Sequence, residues 1–229
     1  MKKITFYTEL SYILGIIILA FGTAFMERAD FGISMVVAPA YLFHLKISPI
    51  FSFFSFGMAE YTLQAAILIV MMIILRKFKL SYLFSFITAV LYGFALDGAM
   101  AVIALLPIEH IVIRIIAYII GMMICAISIS LFFHTYISPE AYELFVKEIS
   151  AKFGISISKF KTAYDCASFV IGVVMSFTFF GFGQFEGIKL GTLVCALLNG
   201  FLIGKATVIL DKIFDFKDAF KLRSFFEKM

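Results

Sequence analysis

Two apolar stretches of this sequence each carry an acidic residue followed about one helical turn later by a second polar residue. Glu60 and Gln64 are four residues apart, and Asp165 and Ser168 are three apart, so each pair would share one face of a helix. A charge inside a membrane helix costs about 2.5–3.5 kcal/mol on insertion scales, so an acid there needs a reason. Two acids at corresponding positions, one facing each aqueous phase, would suit binding of a cation or a proton.

Further polar residues in apolar stretches complete the candidate site. A structural interpretation is also open: the acids would favour the positive end of a helix dipole, and an amide such as Asn199, near the middle of its stretch, would bond a neighbouring helix. Asn199 is the deepest of these residues. The candidate substrate- or ion-binding residues are Glu60, Gln64, Asp165, Ser168, Asn199, Asp97, Tyr61 and Tyr164.

Nothing in the sequence predicts catalysis or a resident metal. There is no nucleophile–base pair and no glycine-rich phosphate loop. Cys125, Cys166 and Cys195 lie singly in apolar stretches, and the histidines are scattered, so neither a metal site nor a disulfide framework is indicated. We expect no enzyme activity and no cofactor. We also expect no nucleic-acid binding, because the basic residues are dispersed between apolar runs.

The elements that must position these residues are membrane spans. Hydrophobic residues make up 63% of the 229 residues and charged residues 15%, against about 25% charged in a soluble domain. A water-soluble fold of this size could not bury so much apolar surface. A helical span needs about 20 mostly apolar residues. Six stretches qualify: 10–26, 57–75, 81–103, 111–133, 163–182 and 190–210.

The basic residues fall mainly on one side of the predicted spans. Fifteen of the 19 Lys and Arg residues lie on the side of the N-terminus, and Lys2, Lys159 and Lys228 are among them. Positive charge accumulates on the cytoplasmic side. We therefore expect an all-α polytopic protein of the bacterial plasma membrane, with both termini cytoplasmic. The tail, 211–229, alternates apolar and charged residues and predicts an amphipathic helix in the membrane interface.

A near-constant offset relates the two halves of the chain. Three spans per unit would make the second unit, 106–210, enter the membrane in the sense opposite to the first, 1–105. Inverted repeats of this kind are common in secondary transporters, although a duplicated scaffold would leave the same trace. The aligned residues, at offsets of 106 and 107, include Tyr12 and Tyr118, Gly15 and Gly121, Ser85 and Thr192, Ala89 and Ala196, and Gly93 and Gly200.

Each predicted half contains a short segment after its first span. Residues 31–43 are too apolar for a free loop and too few to cross a bilayer, so they predict either an interfacial helix or a re-entrant half-helix. The amides at the start of such a half-helix could hold an anionic group. Ser138-Pro139-Glu140 begins the second segment, whose many charges favour an interfacial helix. Gly200 and Gly204 form a GxxxG motif that predicts close helix packing.

The run from Gly154 to Ser168, followed by Gly191-Thr-Leu-Val-Cys-Ala-Leu-Leu-Asn-Gly200, resembles the YczE/YitT-like family of bacterial membrane proteins. The resemblance is sharpest over about the last third of the chain. That family often carries a Gly-x-Gly-Pro-x-Asp-like run after the first helix of each half. Here Gly32 to Val37 lacks the proline and the acid, whereas Pro139-Glu140 keeps a trace of them. The resemblance implies a location and a fold type and no activity.

The sequence thus predicts a transporter of a small molecule or an ion, which could work as a homodimer in the lipid bilayer. Its site would lie between the two repeats, on the second and third spans of each. Two alternatives remain open. One is a substrate-binding membrane subunit that needs a separate energising partner, and the other is a scaffold or accessory protein without transport.

Overall fold

The computed structural model describes the backbone of residues 3–155 and 157–228, and their side chains except those of 81, 157–159, 225, 227 and 228. Lys2 and the side chains of Lys159 and Lys228, used above to predict orientation, therefore lie outside the described part, as does Ser156 of the family-like run. The elements in chain order are β1 (Ile4–Tyr7), α1 (Thr8–Ala29), α2 (Ala38–Ile47), α3 (Phe56–Leu75), α4 (Leu80–Ile103), α5 (Ile111–Phe133), α6 (Ala141–Phe153), α7 (Ile157–Phe180), α8 (Leu190–Ile213), β2 (Phe214–Lys217) and α9 (Arg223–Lys228).

Six of these helices are long and apolar enough to cross a membrane. They contain the six predicted spans to within a few residues, so the prediction of a helical, multi-pass membrane protein is confirmed at that level. Many of their Leu, Ile and Phe side chains are exposed on the outside of the bundle. Such an apolar exterior suits lipid, because hydrocarbon tails are as apolar as these side chains.

The centre of the bundle is an antiparallel pair, α1 and α5, that approach closely through small residues. Ser128 donates a hydrogen bond to the Gly15 carbonyl at 2.6 Å. A Cβ placed on Gly22 would lie 2.5 Å from Cys125 Sγ, and one on Gly121 would lie 2.8 Å from the Gly22 carbonyl oxygen. Small residues allow helices to pack backbone to backbone where no hydrophobic effect drives association.

A second close approach joins α3 to α4. A Cβ on Gly57 would fall on the Gly93 carbonyl oxygen, and one on Gly93 would lie 2.8 Å from the Gly57 carbonyl oxygen. The corresponding helices of the second half, α7 and α8, make no comparable contact in the described part of the chain. The two halves thus differ at this point of the bundle.

The short helix α6 lies along α3. Near its start, Tyr142 donates to the Glu60 carboxylate, and near its end, Lys152 donates to the Ile74 carbonyl. These two α3 residues are about 21 Å apart at 1.5 Å per residue. The prediction of an interfacial helix is therefore wrong for this segment. Its charges are misleading because the opposite face, with Ala141 and Ile149, is buried against α3 and α4.

The other short helix, α2, lies along α7. Its first residue, Ala38, is next to Gly172 in the middle of α7, and Lys46 at its end donates to the Phe179 carbonyl at 3.0 Å. Of the two interpretations of residues 31–43, these contacts support the half-helix that enters the bundle.

The C-terminal segment does not form the predicted amphipathic helix. The last long helix continues to Ile213, and Phe214–Lys217 then pair in parallel with β1, a small sheet that the all-α prediction lacked. The alternation of Phe and charged residues in β2 has the two-residue period of a strand. Phe6 of β1 contacts Phe214 and Phe216, with ring centroids 4.9 and 5.7 Å away. Beyond β2, Arg223 donates to Asp218 at 2.6 Å and holds the pKa of that carboxyl below its ordinary value.

The Gly57–Gly93 contact predicts opposite effects for two alanine substitutions. Gly57→Ala would force α3 away from α4 and should lower the free energy of unfolding by about 1–3 kcal/mol, the usual range for overpacking. Gly98→Ala, on α4, places no described atom within 4 Å of the new methyl group and should be neutral or stabilising by up to about 1 kcal/mol. Melting temperatures of the purified protein in detergent would measure both. Equal losses for the two variants would contradict the close contact.

Candidate functional site

A cluster of four polar side chains lies buried where α6 begins beside α3. Gln64 donates through Nε2 to Glu140 Oε2 at 3.2 Å and to Glu60 Oε1 at 3.4 Å. Tyr142 donates to the same Glu60 oxygen at 2.8 Å. The Gln64 carbonyl oxygen accepts from the Ala141 backbone amide at 3.0 Å, which fixes the orientation of the amide group. Gln64 therefore links two carboxyl groups that come from opposite halves of the chain.

Both carboxyl groups are removed from solvent. Glu60 is 0% exposed and Glu140 is 6% exposed. Within the described part of the chain, Glu60 Oε2 and Glu140 Oε1 have no hydrogen-bond partner. Burial raises the pKa of Glu140 well above its ordinary value, and the nearby charges of Glu143 and Glu60 add to this effect. Buried polar groups are normally satisfied, so the two unpartnered carboxylate oxygens mark this cluster as a candidate functional site.

Side chains of α4 hold the segment that brings Glu140 into the bundle. Ser85 donates to the Pro139 carbonyl at 2.6 Å, and Thr88 donates to the Ser138 carbonyl at 3.1 Å. The Tyr12 hydroxyl of α1 lies 2.7 Å from the Thr88 hydroxyl. These bonds satisfy backbone carbonyls that would otherwise be buried without partners. They explain why an extended segment, and not a helix, precedes α6.

The second feature is an open cavity of about 260 Å³ between α7, α8 and the turn that precedes α2. Asp165 and Asn199 line it together with Lys161, which forms an ion pair of 3.5 Å with Asp165. Asn199 Oδ1 is buried and has no hydrogen-bond partner in the described part of the chain. The first half contributes Ser34 and its two following residues. The cavity thus offers a cation, an acid, an amide and a hydroxyl.

The structure separates the predicted site residues into these two groups. Glu60 and Gln64 belong to the buried cluster, and Asp165 and Asn199 belong to the cavity. The expectation that Glu60 faces an aqueous phase is wrong, because α6 covers it.

Tyr164 and Ser168 lie on α7 close to the cavity. The Tyr164 hydroxyl interacts with Ser168, which is buried, and the tyrosine ring packs 5.6 Å from the Phe145 ring of α6. Glu143 of α6 is near enough for its charge to act on Tyr164. These two residues therefore connect α7 with α6 between the cavity and the buried cluster.

Asp97 and Tyr61 have structural roles at the contact between α3 and α4. Asp97 accepts hydrogen bonds from the Ser55 hydroxyl at 2.5 Å and from the Gly57 amide at 2.8 Å, so it caps the start of α3. Tyr61 packs against Gly93 and the Phe94 ring. Neither residue lies in the cluster or in the cavity.

The predicted packing role of Gly200 and Gly204 is wrong within this chain. A Cβ at either position would meet no atom of the described residues within 4 Å. Gly200 lies on the wall of the cavity. The motif was misleading because α8 packs against α5 through its other residues.

Sequence reasoning missed Glu140, Tyr142 and Lys161 as members of the site. The sequence signal for Glu140 is the Pro139-Glu140 dipeptide, which by itself predicts only a helix start. Its partner Glu60 lies 80 residues earlier, and no spacing rule connects the two. Lys161 lies one turn before Asp165, which is the i,i+4 spacing of a helical ion pair.

The fold and these two features define a multi-pass helical membrane protein with a polar interior. The chain belongs to the family of unknown function DUF6198, whose model matches residues 6–207 and so covers α1 to α7 and most of α8. No match was found among curated proteins or among solved structures. The relationship to the YczE/YitT-like family stays a prediction.

The capping role of Asp97 can be tested with a double-mutant cycle. Asp97→Ala should lower the free energy of unfolding by about 1–2 kcal/mol, the range for loss of a helix cap, and Ser55→Ala should do the same. Because the two side chains act on one helix start, the double variant should lose less than the sum of the two. Strict additivity in thermal or chemical unfolding would show that the residues do not cooperate.

Proposed function

We propose that this protein is a carrier that moves a small polar molecule or ion across the membrane by alternating access between two inverted halves, residues 1–105 and 106–210. The observation that carries the proposal is the cavity between α7 and α8, whose counterpart between α3 and α4 is closed by glycine contact. A carrier needs one such pathway to be open while the other is shut.

Reciprocal contacts between the halves support the inverted arrangement. The short helix of each half lies along the second span of the other, α2 along α7 and α6 along α3. In the central pair, Gly15 faces Ser128 and Gly22 faces Gly121. At an offset of 106, Gly15 corresponds to Gly121 and Gly22 corresponds to Ser128. The two contacts are therefore equivalent, as expected for helices related by a two-fold axis.

The third span of each half supports the same relation. Ser85 donates to the Pro139 carbonyl, and Thr192 contacts Gly32, where a Cβ would fall on the threonine hydroxyl. The offset of 107 relates Ser85 to Thr192 and also Gly32 to Pro139. Each hydroxyl therefore contacts the short connection of the opposite half.

The alignment also identifies the closing contact. Gly93, which packs on Gly57, corresponds to Gly200 on the cavity wall. Aligning Glu60 with Asp165 pairs Gly57 with Thr162, which lies on the opposite wall of the same cavity. In the alternate state, Gly200 packs against α7 near Thr162, and Gly57 separates from Gly93.

The direction of the opening follows from the predicted topology. The cavity is lined by the beginning of α7, which lies on the side of the two termini, and by residues 195–203 in the first half and middle of α8. With the termini in the cytoplasm, as the basic residues indicate, this is the inward-facing state. Pockets that bind drug-sized ligands measure about 300–1,000 Å³, so this cavity of about 260 Å³ suits a smaller polar solute.

A thermal-shift screen of the purified protein against metabolite and ion libraries tests ligand binding. At least one compound should raise the melting temperature, and Asn199→Leu should abolish that shift because it removes an unpartnered amide from the cavity wall. Thr178→Val, a polar-to-apolar change on an exposed face of α7, should retain it. If no shift depends on Asn199, the cavity is not the binding site.

Flux in proteoliposomes, measured with the compound found in that screen, tests alternating access. Gly200→Ala should keep ligand binding, because a single methyl group takes up little of the open cavity, but should reduce flux more than about tenfold by blocking closure. Gly204→Ala, one turn further along α8 and equally uncrowded, should not. Binding without flux in the wild type, with an ATPase that copurifies, would favour a substrate-binding subunit. Absence of both binding and flux would favour a scaffold.

A further inference from the structure

The buried pair of carboxyl groups is surrounded by hydrogen-bond donors. The Gln64 amide donates to both Glu60 and Glu140, and the Tyr142 hydroxyl donates to Glu60. No lysine, arginine or histidine forms an ion pair with either acid in the described part of the chain. Two acids buried around one amide group, with no described cation paired to either, cannot both ionise readily, because each charge opposes the other and neither is solvated.

The other titratable groups around the pair do not supply the missing positive charge. They come from every helix packed against it, and all are neutral or acidic. They are Tyr12 of α1, Tyr92 of α4, Cys125 of α5, Tyr142 and Glu143 of α6, and Tyr164 of α7.

A metal cation does not fit this environment. Ca²⁺ takes six to eight oxygen ligands, and Mg²⁺ requires a near-octahedral set. The described residues contain no group of three or more Asp, Glu, His or Cys side chains that could hold a metal ion. The amide and the tyrosine hydroxyl present hydrogens to the carboxyl oxygens, and these hydrogens would repel a cation. A proton needs only one carboxyl oxygen and leaves the donors in place.

We propose that Glu60 and Glu140 together bind one exchangeable proton, and that this proton is the ion coupled to transport. The coupling part rests on the function proposed above, whereas proton binding by the pair does not. The second observation, besides the two acids themselves, is that Glu60 Oε2 and Glu140 Oε1 are buried without partners.

Glu143 connects the pair with the cavity. It lies three residues after Glu140, in the first turn of α6, and its charge interacts with Glu140 on one side and with Lys161 and Asp165 on the other. Binding takes a proton from the aqueous phase through the cavity and forms one O–H bond on a carboxyl of the pair. Release breaks that bond and returns the proton, and no electrons are transferred.

The sign of the pH dependence follows from linkage. In the unfolded chain both acids ionise near their ordinary value, about 4.3 for Glu, whereas the folded pair keeps a proton at higher pH. The folded state then binds more protons than the unfolded state. Stability must fall as the pH rises above that value, until the shared proton has left.

Melting temperature and proton count test proton binding in detergent, without any substrate. Between about pH 5.5 and about pH 8.5, the melting temperature of the wild type should fall by about 5 °C more than that of the Glu60→Gln and Glu140→Gln variants. Over the same pH interval, an indicator dye should show that each variant releases about one proton fewer than the wild type. Glutamine mimics the protonated acid, so both variants should fold. Glu109→Gln, an exposed acid outside the cluster, should behave as the wild type.

The outcomes separate this inference from the carrier function. Equal pH slopes and proton counts in the wild type and both glutamine variants overturn the proton site. Stabilisation by NaCl but not by choline chloride, lost in the glutamine variants, also overturns it and indicates a sodium site. Either result with Asn199-dependent ligand shifts intact leaves the carrier proposal standing. If the proton signature is present but no ligand binds, the carrier proposal fails and proton binding by the pair stands.

Discussion

Buried backbone groups must find hydrogen-bond partners, and in this protein the partners come from the opposite half of the chain. Two non-helical connections enter the bundle, after α1 and after α5. The first is held by main-chain bonds, Ile33 to the Gly187 carbonyl and Gly191 to the Phe31 carbonyl. The second is held by the Ser85 and Thr88 hydroxyls and by the Gln64 amide. Because each half completes the backbone hydrogen bonding of the other, neither half would be satisfied alone.

The polar interior is a consequence of this arrangement. Gln64 occupies a span because the first amide of α6 needs an acceptor, and its own NH₂ group then requires acceptors in turn. Glu60 and Glu140 provide them, which buries two carboxyl groups that no described lysine, arginine or histidine neutralises. The hydrogen bonds that satisfy the start of α6 thus leave two carboxylate oxygens without a partner among the described residues. Such a network is sensitive to a single proton, since protonation exchanges an acceptor for a donor.

The two halves differ in whether their second and third spans touch through glycine residues. Gly57 and Gly93 allow α3 and α4 to touch backbone to backbone, whereas Gly200 stands free beside the cavity. A glycine contact between two helices is made by backbone packing alone. It can therefore be formed in one half while the corresponding helices of the other half are apart. The central pair α1 and α5 packs closely throughout and provides a fixed support for such a movement. The proposed carrier function rests on this difference between the halves.

Hydropathy and charge determined the six helices, their limits and the predicted side of the termini, because lipid imposes a length and a composition on every span. Glu60, Gln64, Asp165 and Asn199 could be selected because a polar group in an apolar helix is conspicuous. The sequence could not show that Glu140 belongs with Glu60, since no local period connects residues 80 positions apart. It also misplaced α6, whose charges resemble those of a surface helix, and the tail, where the two-residue alternation of the strand extends over only four residues. Tertiary structure decided these points, because burial and pairing depend on which neighbour covers a side chain and not on the side chain alone.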